Sequence, residues 1–533
     1  MRITKYVLAL VFSIGLAIPS FAVELSLGGF PSFMRFRWRT LTNATAHHVT
    51  NRGTVANLAA SDGENIHFAD MTLRLTPQLV LSDNVTIRSS VDVLGNAIAG
   101  GAGGGLFGAT EDEASGVVMS DIRTSDRFNG TLLYGTDAVD EDAGTFSVKF
   151  LHADINLGEY GFLRIGRQPF DFGLGIYANG GHNPYDDGGF NVDRLLWLKG
   201  FNTAFGATTL VLVSDYISGG GNSTDNTTDE AVSVFEGNGQ TVDYLAAAVI
   251  VANGPSVYGA YLFPKIRQKN LGGADAEANS DMNFVLYEAY YTYTGNDVFF
   301  GVDFAGGYGT LKPESSSGKS NTSNIDKDNY IFVAQLRFNN LGGAVSSLGF
   351  EYGVSPGDDY STGDFEGEVI RANSAYEVDN LLFKHVIPSL YGKDGSVINS
   401  KYFKVDADMP MTETSKLNLA VVMAWAAETD NQKFAGDITN QESGASATGN
   451  GTTQDIAGYW GTVYEATYST ELTPGVELSL IGSYIDAGNG LKDAMSDAAA
   501  GTAVRDDAEG SIYGFQTRLL IFIDDFFKAP AAK

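Results

Sequence analysis

From about residue 31 onward, apolar and polar side chains change places with a period of two, and few stretches carry the i, i+3, i+4, i+7 spacing of an amphipathic helix. A strand sends successive side chains to opposite faces, so this pattern predicts a sheet with one apolar and one polar face. Met34, Phe36 and Trp38 share a face, with Arg35, Arg37 and Arg39 on the other. Met71, Leu73, Leu75 and Leu79 stand opposite Thr72, Arg74, Thr76 and Gln78, and Val85, Ile87, Val91 and Val93 opposite Thr86, Arg88, Ser90 and Asp92. The same rule groups Leu417, Leu419, Val421, Met423 and Trp425, and sets Tyr513, Phe515, Leu519 and Ile521 against Gln516 and Arg518. The parity slips at Phe150-Leu151, which predicts a bulge.

Candidate strands lie near 31–42, 64–80, 84–95, 143–157, 161–169, 192–199, 207–217, 241–252, 256–264, 282–294, 297–309, 328–340, 345–354, 400–410, 415–427, 457–473, 475–487 and 510–523. That makes about 18, with 16 as the alternative count. Their connections alternate between long and short. The short ones carry turn chemistry, as in Ser82-Asp83-Asn84, Asn253-Gly254-Pro255, Gly295-Asn296-Asp297 and Thr473-Pro474-Gly475. The long ones include 43–63, 96–142, 170–191, 355–399 and 488–509 and read as external loops. An even number of antiparallel strands with short turns at one end and long loops at the other is the plan of an all-β transmembrane up-and-down barrel. In hydrocarbon an open sheet edge leaves backbone donors and acceptors unpaired, so spanning strands must close into a ring. Tyr290, Tyr291, Tyr293, Tyr459 and Trp460 near strand ends are read as an interfacial girdle.

Composition sharpens this picture. The chain has 533 residues, 64 acidic and 34 basic side chains, a net charge of −30, and no cysteine. Disulfides, thiolate metal sites and cysteine nucleophiles are thereby excluded, and so large a negative balance repels a nucleic-acid backbone. A mean hydropathy of −0.06 fits apolar side chains facing lipid and polar ones facing a lumen. At the N-terminus Arg2 and Lys5, the apolar run Tyr6 to Ile18, Pro19 and Ser20-Phe21-Ala22 read as a signal peptide over 1–22, leaving 23–533 as a single barrel domain. That apolar run is too short to span a bilayer, which needs roughly 20 residues.

Catalytic signals are weak. The histidines His47, His48, His67, His152, His182 and His385 lack metal-ligand spacing, Gly318-Lys319-Ser320 lacks the glycine of a phosphate loop, and no nucleophile elbow occurs. No enzyme and no cofactor is expected. Loop acids such as Glu111-Asp112-Glu113, Asp137 with Asp140 to Asp142, and Asp358-Asp359 with Asp364, Glu366 and Glu368 offer oxygen ligands to calcium, but solvated loop surface is the plainer reading. Gly100 to Gly105 reads as flexible loop.

The stretch Gly161-Phe162-Leu163-Arg164-Ile165-Gly166-Arg167-Gln168-Pro169-Phe170 resembles the strand of bacterial outer-membrane porins that carries a Gly-Arg-Gln element just before the constriction loop. The chain also looks somewhat like porin-like proteins of deltaproteobacteria and alginate-export barrels. It departs from the general trimeric porins in length and in its end, where Phe526 and Phe527 are followed by Lys528 to Lys533. The resemblance implies a third loop, 170–191, folded into the pore, and a constriction with opposed charges. Arg35, Arg37, Arg39, Arg74, Arg88, Arg164 and Arg518 point inward by parity and would form a basic wall, with Asp171, Asp186 and Asp187 facing it. The alternative role for the arginines is structural cross-linking to Asp70, Asp92 or Asp154. The expected function is passive diffusion of ions and small hydrophilic solutes through the cell outer membrane, with weak anion preference. Lipid, lipopolysaccharide and a homo-oligomer are the expected partners. Two other readings stand beside it: a barrel sheath around an electron-transfer cytochrome, and a plugged-barrel adhesin.

Overall fold

A computed structural model describes residues 24–27, 29–42, 45–49, 55–59, 65–99, 146–186, 189, 191–218, 241–268, 280–313, 323–362, 370–373, 375–391, 396–432, 434, 453–496 and 511–527. The expected signal peptide, the glycine run at 100–105, the acidic clusters at 111–113 and 137–142, Asp187, the acids at 364, 366 and 368, and Gly318-Lys319-Ser320 lie outside these residues.

The strands are β1 (Glu24–Leu27), β2 (Phe33–Thr42), β3 (Thr45–Val49), β4 (Val55–Ala59), β5 (Asn65–Leu75), β6 (Pro77–Ser82), β7 (Val85–Ala99), β8 (Phe146–Asn156), β9 (Phe162–Pro169), β10 (Asn191–Thr203) and β11 (Gly206–Ser218). They continue as β12 (Thr241–Asn253), β13 (Ser256–Gln268), β14 (Ser280–Thr294), β15 (Val298–Pro313), β16 (Ser323–Phe338), β17 (Ser347–Ser355), β18 (Ser400–Pro410), β19 (Ser415–Ala426), β20 (Tyr459–Thr473), β21 (Val476–Ala487) and β22 (Ser511–Phe522). Each main strand pairs antiparallel with its chain neighbours, and β2 pairs with β5 on one side and β22 on the other, which closes the ring. With β5 and β6 counted as one interrupted strand, the described residues form a closed barrel of 18. All 18 strands predicted from the alternation are present. What it did not predict are β1, which pairs with β6, the separate β3–β4 hairpin, and three short helices: α1 (Ile387–Tyr391), α2 (Asn489–Ser496) and α3 (Ile523–Phe527). No helix among the described residues is long and apolar enough to cross a membrane.

The faces follow the alternation. Trp38, Leu151, Ile165, Leu212, Val249, Leu262, Leu419 and Phe515 stand exposed on the outside of the ring, while Arg35, Arg37, Arg39, Arg74, Gln516 and Arg518 are buried inside it. The parity slip is a bulge one residue before the predicted dipeptide: Ser90 pairs with Phe150 and Val91 with Val148, so Lys149 is the extra residue. Trp460 is not a girdle residue. A register shift opposite Ala424 and Trp425 turns it inward, where it is fully buried and donates from Nε1 to the Asn399 carbonyl at 3.2 Å. Tyr290 likewise faces inward, edge-on to Phe172 at 4.9 Å.

The interior is not uniformly polar, which corrects the expectation of one polar face throughout. Along β11 to β16 the inward side chains Val211, Val213, Ala246, Ala248, Phe263, Phe284, Leu286, Ala305, Ile331 and Val333 are apolar and buried. They are covered by chain that leaves the wall early. β9 and β17 are only 8 and 9 residues long, and the segments that follow them fold inward. Phe170, Ile176, Tyr177 and Ala178 from the first segment pack in one core with Ile370, Leu381, Leu382, Phe383, Val386 and Ile387 from the second. The connection 355–399 is thus not simply an external loop: its apolar run 381–390 supplies the buried face of a π-turn and α1. At about 25 cal/mol per Å² of apolar surface, burial of these side chains offsets part of the cost of ordering the two loops.

The strand that carries Gly166 cannot accept a side chain there. Its φ is +121°, and an added Cβ would lie 2.4 Å from the Leu151 carbonyl oxygen. Gly166→Ala is expected to lower the yield of folded, heat-modifiable barrel, and the shift in electrophoretic mobility between boiled and unboiled protein checks it.

Candidate functional site

The first inward segment is fixed to the arginine wall by its own carbonyls. Arg35 donates from Nη1 to the Pro184 and Asp186 carbonyls at 2.9 and 2.8 Å. Arg74 donates from Nη1 to the Gly181 carbonyl at 2.8 Å, and Lys149, the bulged residue, reaches the same oxygen at 3.4 Å. β2, β5, β7 and β8 follow one another around this side of the ring; alternation aims Arg35 and Arg74 inward, and the bulge turns Lys149 toward the same stretch of chain. Charge-assisted bonds of this kind are roughly twice as strong as neutral ones.

Each of the seven arginines expected on the wall is on the inner face, but their surroundings differ. Arg74 makes a bidentate pair with Asp92 at 2.6 and 2.9 Å. Asp154 accepts from both Arg164, at 2.6 and 3.1 Å, and Arg88, at 3.0 Å. These three therefore cross-link strands. Arg39 donates to Gln516 Oε1 at 2.6 Å across the closing seam between β2 and β22. Arg518 stacks over the Tyr185 ring at 4.3 Å, and Tyr185 in turn donates its hydroxyl to Glu477 at 2.8 Å. Arg35 and Arg37 are 2 % and 1 % exposed, so this part of the wall lies behind the inward segment, whereas the side chains of Arg88 and Arg164 are partly open.

The opening in front of Arg35 and Arg37 is lined by acids. A polar cleft of about 490 Å³ lies between the two inward segments, lined by Asp171, His182, Tyr185 and Asp186 from the first and Tyr376 and Glu377 from the second. Asp171 accepts from the Gly180 amide at 2.6 Å and sits 3.5 Å from His182 Nε2. Burial opposes ionisation of Asp171, but the hydrogen bond and charge of His182 and the Gly180 amide hold its carboxyl below the usual range. Burial lowers the His182 pKa, against the pull of Asp171, and its ring lies on Phe30 at 4.4 Å. Burial and the neighbouring Glu477 carboxylate push the Tyr185 phenol up. Asp186 contributes its carbonyl to Arg35 and its carboxylate to the Asn183 amide. Glu377 is paired with Lys384. Asp171, Asp186 and the arginines are thus brought to one place, with chain between them.

Sequence reasoning missed Lys149, Tyr185, Glu377 and Asn373. The last joins the two inward segments: its Nδ2 donates to the Tyr177 and Asn179 carbonyls at 3.0 and 3.2 Å, and its amide to the Ile176 carbonyl at 2.7 Å. No periodicity marks a residue whose partners are loop carbonyls almost 200 positions away.

The second segment carries a pH-sensitive cap. Asp379 accepts from the Leu381, Leu382 and Phe383 amides at the start of the π-turn. Burial, and then the nearby Glu465 carboxylate, raises its carboxyl to about 6. A pKa raised in the folded state means that the native form binds the proton more tightly. Docking of this segment is therefore stronger at low pH, weakens as pH rises from about 4 to about 6, and is level above that, by about 3 kcal/mol in all. Hydrogen exchange of the 381–391 amides, corrected for intrinsic rate, is expected to show this, and Asp379→Asn, which keeps an acceptor for the cap, to flatten it.

No family model and no curated protein matches the sequence. Among solved structures the chain is similar to OccAB1 of Acinetobacter baumannii, at 12% identity over 93% of this chain and 98% of that one, with a TM-score of 0.40. It is similar to OpdQ of Pseudomonas aeruginosa at 9% identity, covering 92% and 96%, with a TM-score of 0.41. An anion-selective porin from Comamonas acidovorans aligns at 10% identity over 94% and 99%, with a TM-score of 0.32.

Proposed function

We propose that this barrel is a narrow outer-membrane channel for passive diffusion of ions and small hydrophilic solutes. The observation that carries the reading is the polar cleft between two inward segments, inside a closed ring whose outer face is apolar. Solutes passing there meet carboxylates in front and a buried arginine layer behind. The opposed charges create a transverse field that orients dipolar solutes without a chemical step. Arg35, Arg37 and Arg39 act on ions through potential, not contact, and set a weak anion preference.

The apolar core inside the ring favours a second reading, a plugged barrel whose loops are its working surface. It disfavours a sheath around a cytochrome, because segments of the chain itself occupy the interior. Planar-bilayer recording of the refolded protein under a salt gradient separates the two. Small stable steps with a reversal potential of anion-selective sign are expected. A folded, heat-modifiable barrel that never conducts would overturn the channel reading in favour of the plugged one.

A further inference from the structure

On the wall away from the arginines, two carboxylates lie buried with no base. Glu288 on β14 and Asp303 on β15 both face the interior at diagonal positions, since Glu288 pairs with Ala305 and Tyr290 with Asp303. They are 1 % and 0 % exposed, neither forms an ion pair among the described residues, and each lies within reach of the other's charge. Asp303 Oδ2 accepts the Leu174 amide of the first inward segment at 2.7 Å. Asp303 Oδ1 and both Glu288 oxygens have no hydrogen bond of normal geometry. Tyr261 sits directly across from Glu288 on β13, is 4 % exposed, and turns its hydroxyl toward that carboxylate, again without a hydrogen bond of normal geometry. Ile176, Phe284 and Leu286 around the pair are fully or almost fully buried, and the Tyr177 and Tyr290 phenols lie within reach of its charge.

Two like charges in so dry a place cost several kcal/mol each unless something positive joins them. One proton shared between the two carboxyls would leave a single charge, which the amides of Leu174, Ile176 and Phe304 face on Asp303. A divalent cation neutralises both and takes up the Tyr261 hydroxyl as a neutral ligand. We infer that Glu288, Asp303 and Tyr261 bind a hard divalent cation, Ca²⁺ or Mg²⁺, which clamps the first inward segment to β14 and β15. Oxygen-only donors select hard ions over soft ones. Two carboxylates fall short of a three-acid site, and no such site occurs among the described residues, so the tyrosine is essential to the set. The clamp works through Asp303, which holds the ion with one oxygen and the Leu174 amide with the other. A side chain at Gly173 would collide with that carboxylate, its Cβ lying 2.3 Å from Oδ2, so the segment can approach this closely only as glycine.

The inward segment covers the site, so the ion enters as the barrel folds. Elemental mass spectrometry of protein extracted from membranes without chelator is expected to find about one calcium or magnesium per chain, falling to background in Glu288→Gln. Wild-type protein refolded in EDTA is expected to lose protection of the Leu174 amide in hydrogen exchange and to regain it on refolding with Ca²⁺ or Mg²⁺ alone. This second measurement needs no variant to fold. Metal-free wild-type protein with a protected Leu174 amide would overturn the inference, leaving protons as the neutralising partner. Equal metal in wild type and Glu288→Gln would overturn it too, assigning the ion to loop carboxylates elsewhere.

Discussion

Arg35→Ala is expected to raise single-channel conductance several-fold while moving the reversal potential toward cation preference. The two effects have different origins and are read separately. Conductance rises because the Pro184 and Asp186 carbonyls lose the guanidinium from which both accept, and the segment bounding the cleft is freed from the wall. Two charge-assisted bonds at about 1.5 kcal/mol each put the loss of docking at roughly 3 kcal/mol or more, and the buried carbonyls left behind add to it. Selectivity shifts because one fixed positive charge is gone from the layer shared with Arg37 and Arg39. Arg35→Lys restores the charge but, as a point donor on a flexible stem, cannot hold both carbonyls as the planar fork does. It is expected to recover the wild-type reversal potential and only part of the wild-type conductance. Bilayer recordings of the three proteins check this, and unchanged conductance in Arg35→Ala would show that the segment is held without it.

Asn373→Ala is expected to uncouple the two inward segments. Asn373 is fully buried, and its side-chain amide satisfies the Tyr177 and Asn179 carbonyls. Deleting it leaves two carbonyls without that donor, at about 1–3 kcal/mol apiece. Hydrogen exchange should accelerate together over 172–179 and 381–391, and open-channel noise should grow as the cleft walls move independently. The Tyr376→Phe variant is the control. It removes the hydroxyl that donates to Glu351 at 3.0 Å but keeps Asn373, so exchange over 172–179 should stay at the wild-type rate. Acceleration confined to one segment would mean that each is anchored by the wall alone.

The strands and their faces could be read from the sequence because both obey a local rule: a period of two needs nothing beyond a residue's neighbours. Arg35, Arg37 and Arg39 were placed inward on that basis alone, and the bulge at Lys149 was signalled by broken parity. What the rule cannot give is what stands opposite an inward side chain. Whether Arg74 meets water, Asp92 or the Gly181 carbonyl depends on where a segment more than 100 residues later is folded. Trp460 escapes the rule for a related reason, since a shift in pairing between two strands leaves no mark on either one. One clue to the filled interior lies in the sequence: Leu245 to Val251 is apolar without alternation, which in a barrel means that something covers the inner face as well.

That two-sided apolar wall changes how the barrel can go wrong. On β2, slipping the pairing by one residue would put three arginines into lipid, so error there is self-correcting. On β12 the same slip exchanges Ala246 and Ala248 for Ala247 and Val249, and hydrocarbon accepts either set. Correct alignment of β12 must then be imposed from outside the strand, by the tight turn at Asn253-Gly254-Pro255 and by Tyr261 and Phe263, which fit only the side that the inward segments fill. The part of the ring richest in apolar side chains is therefore the part least able to find its own place, and its assembly depends on its neighbours being placed first.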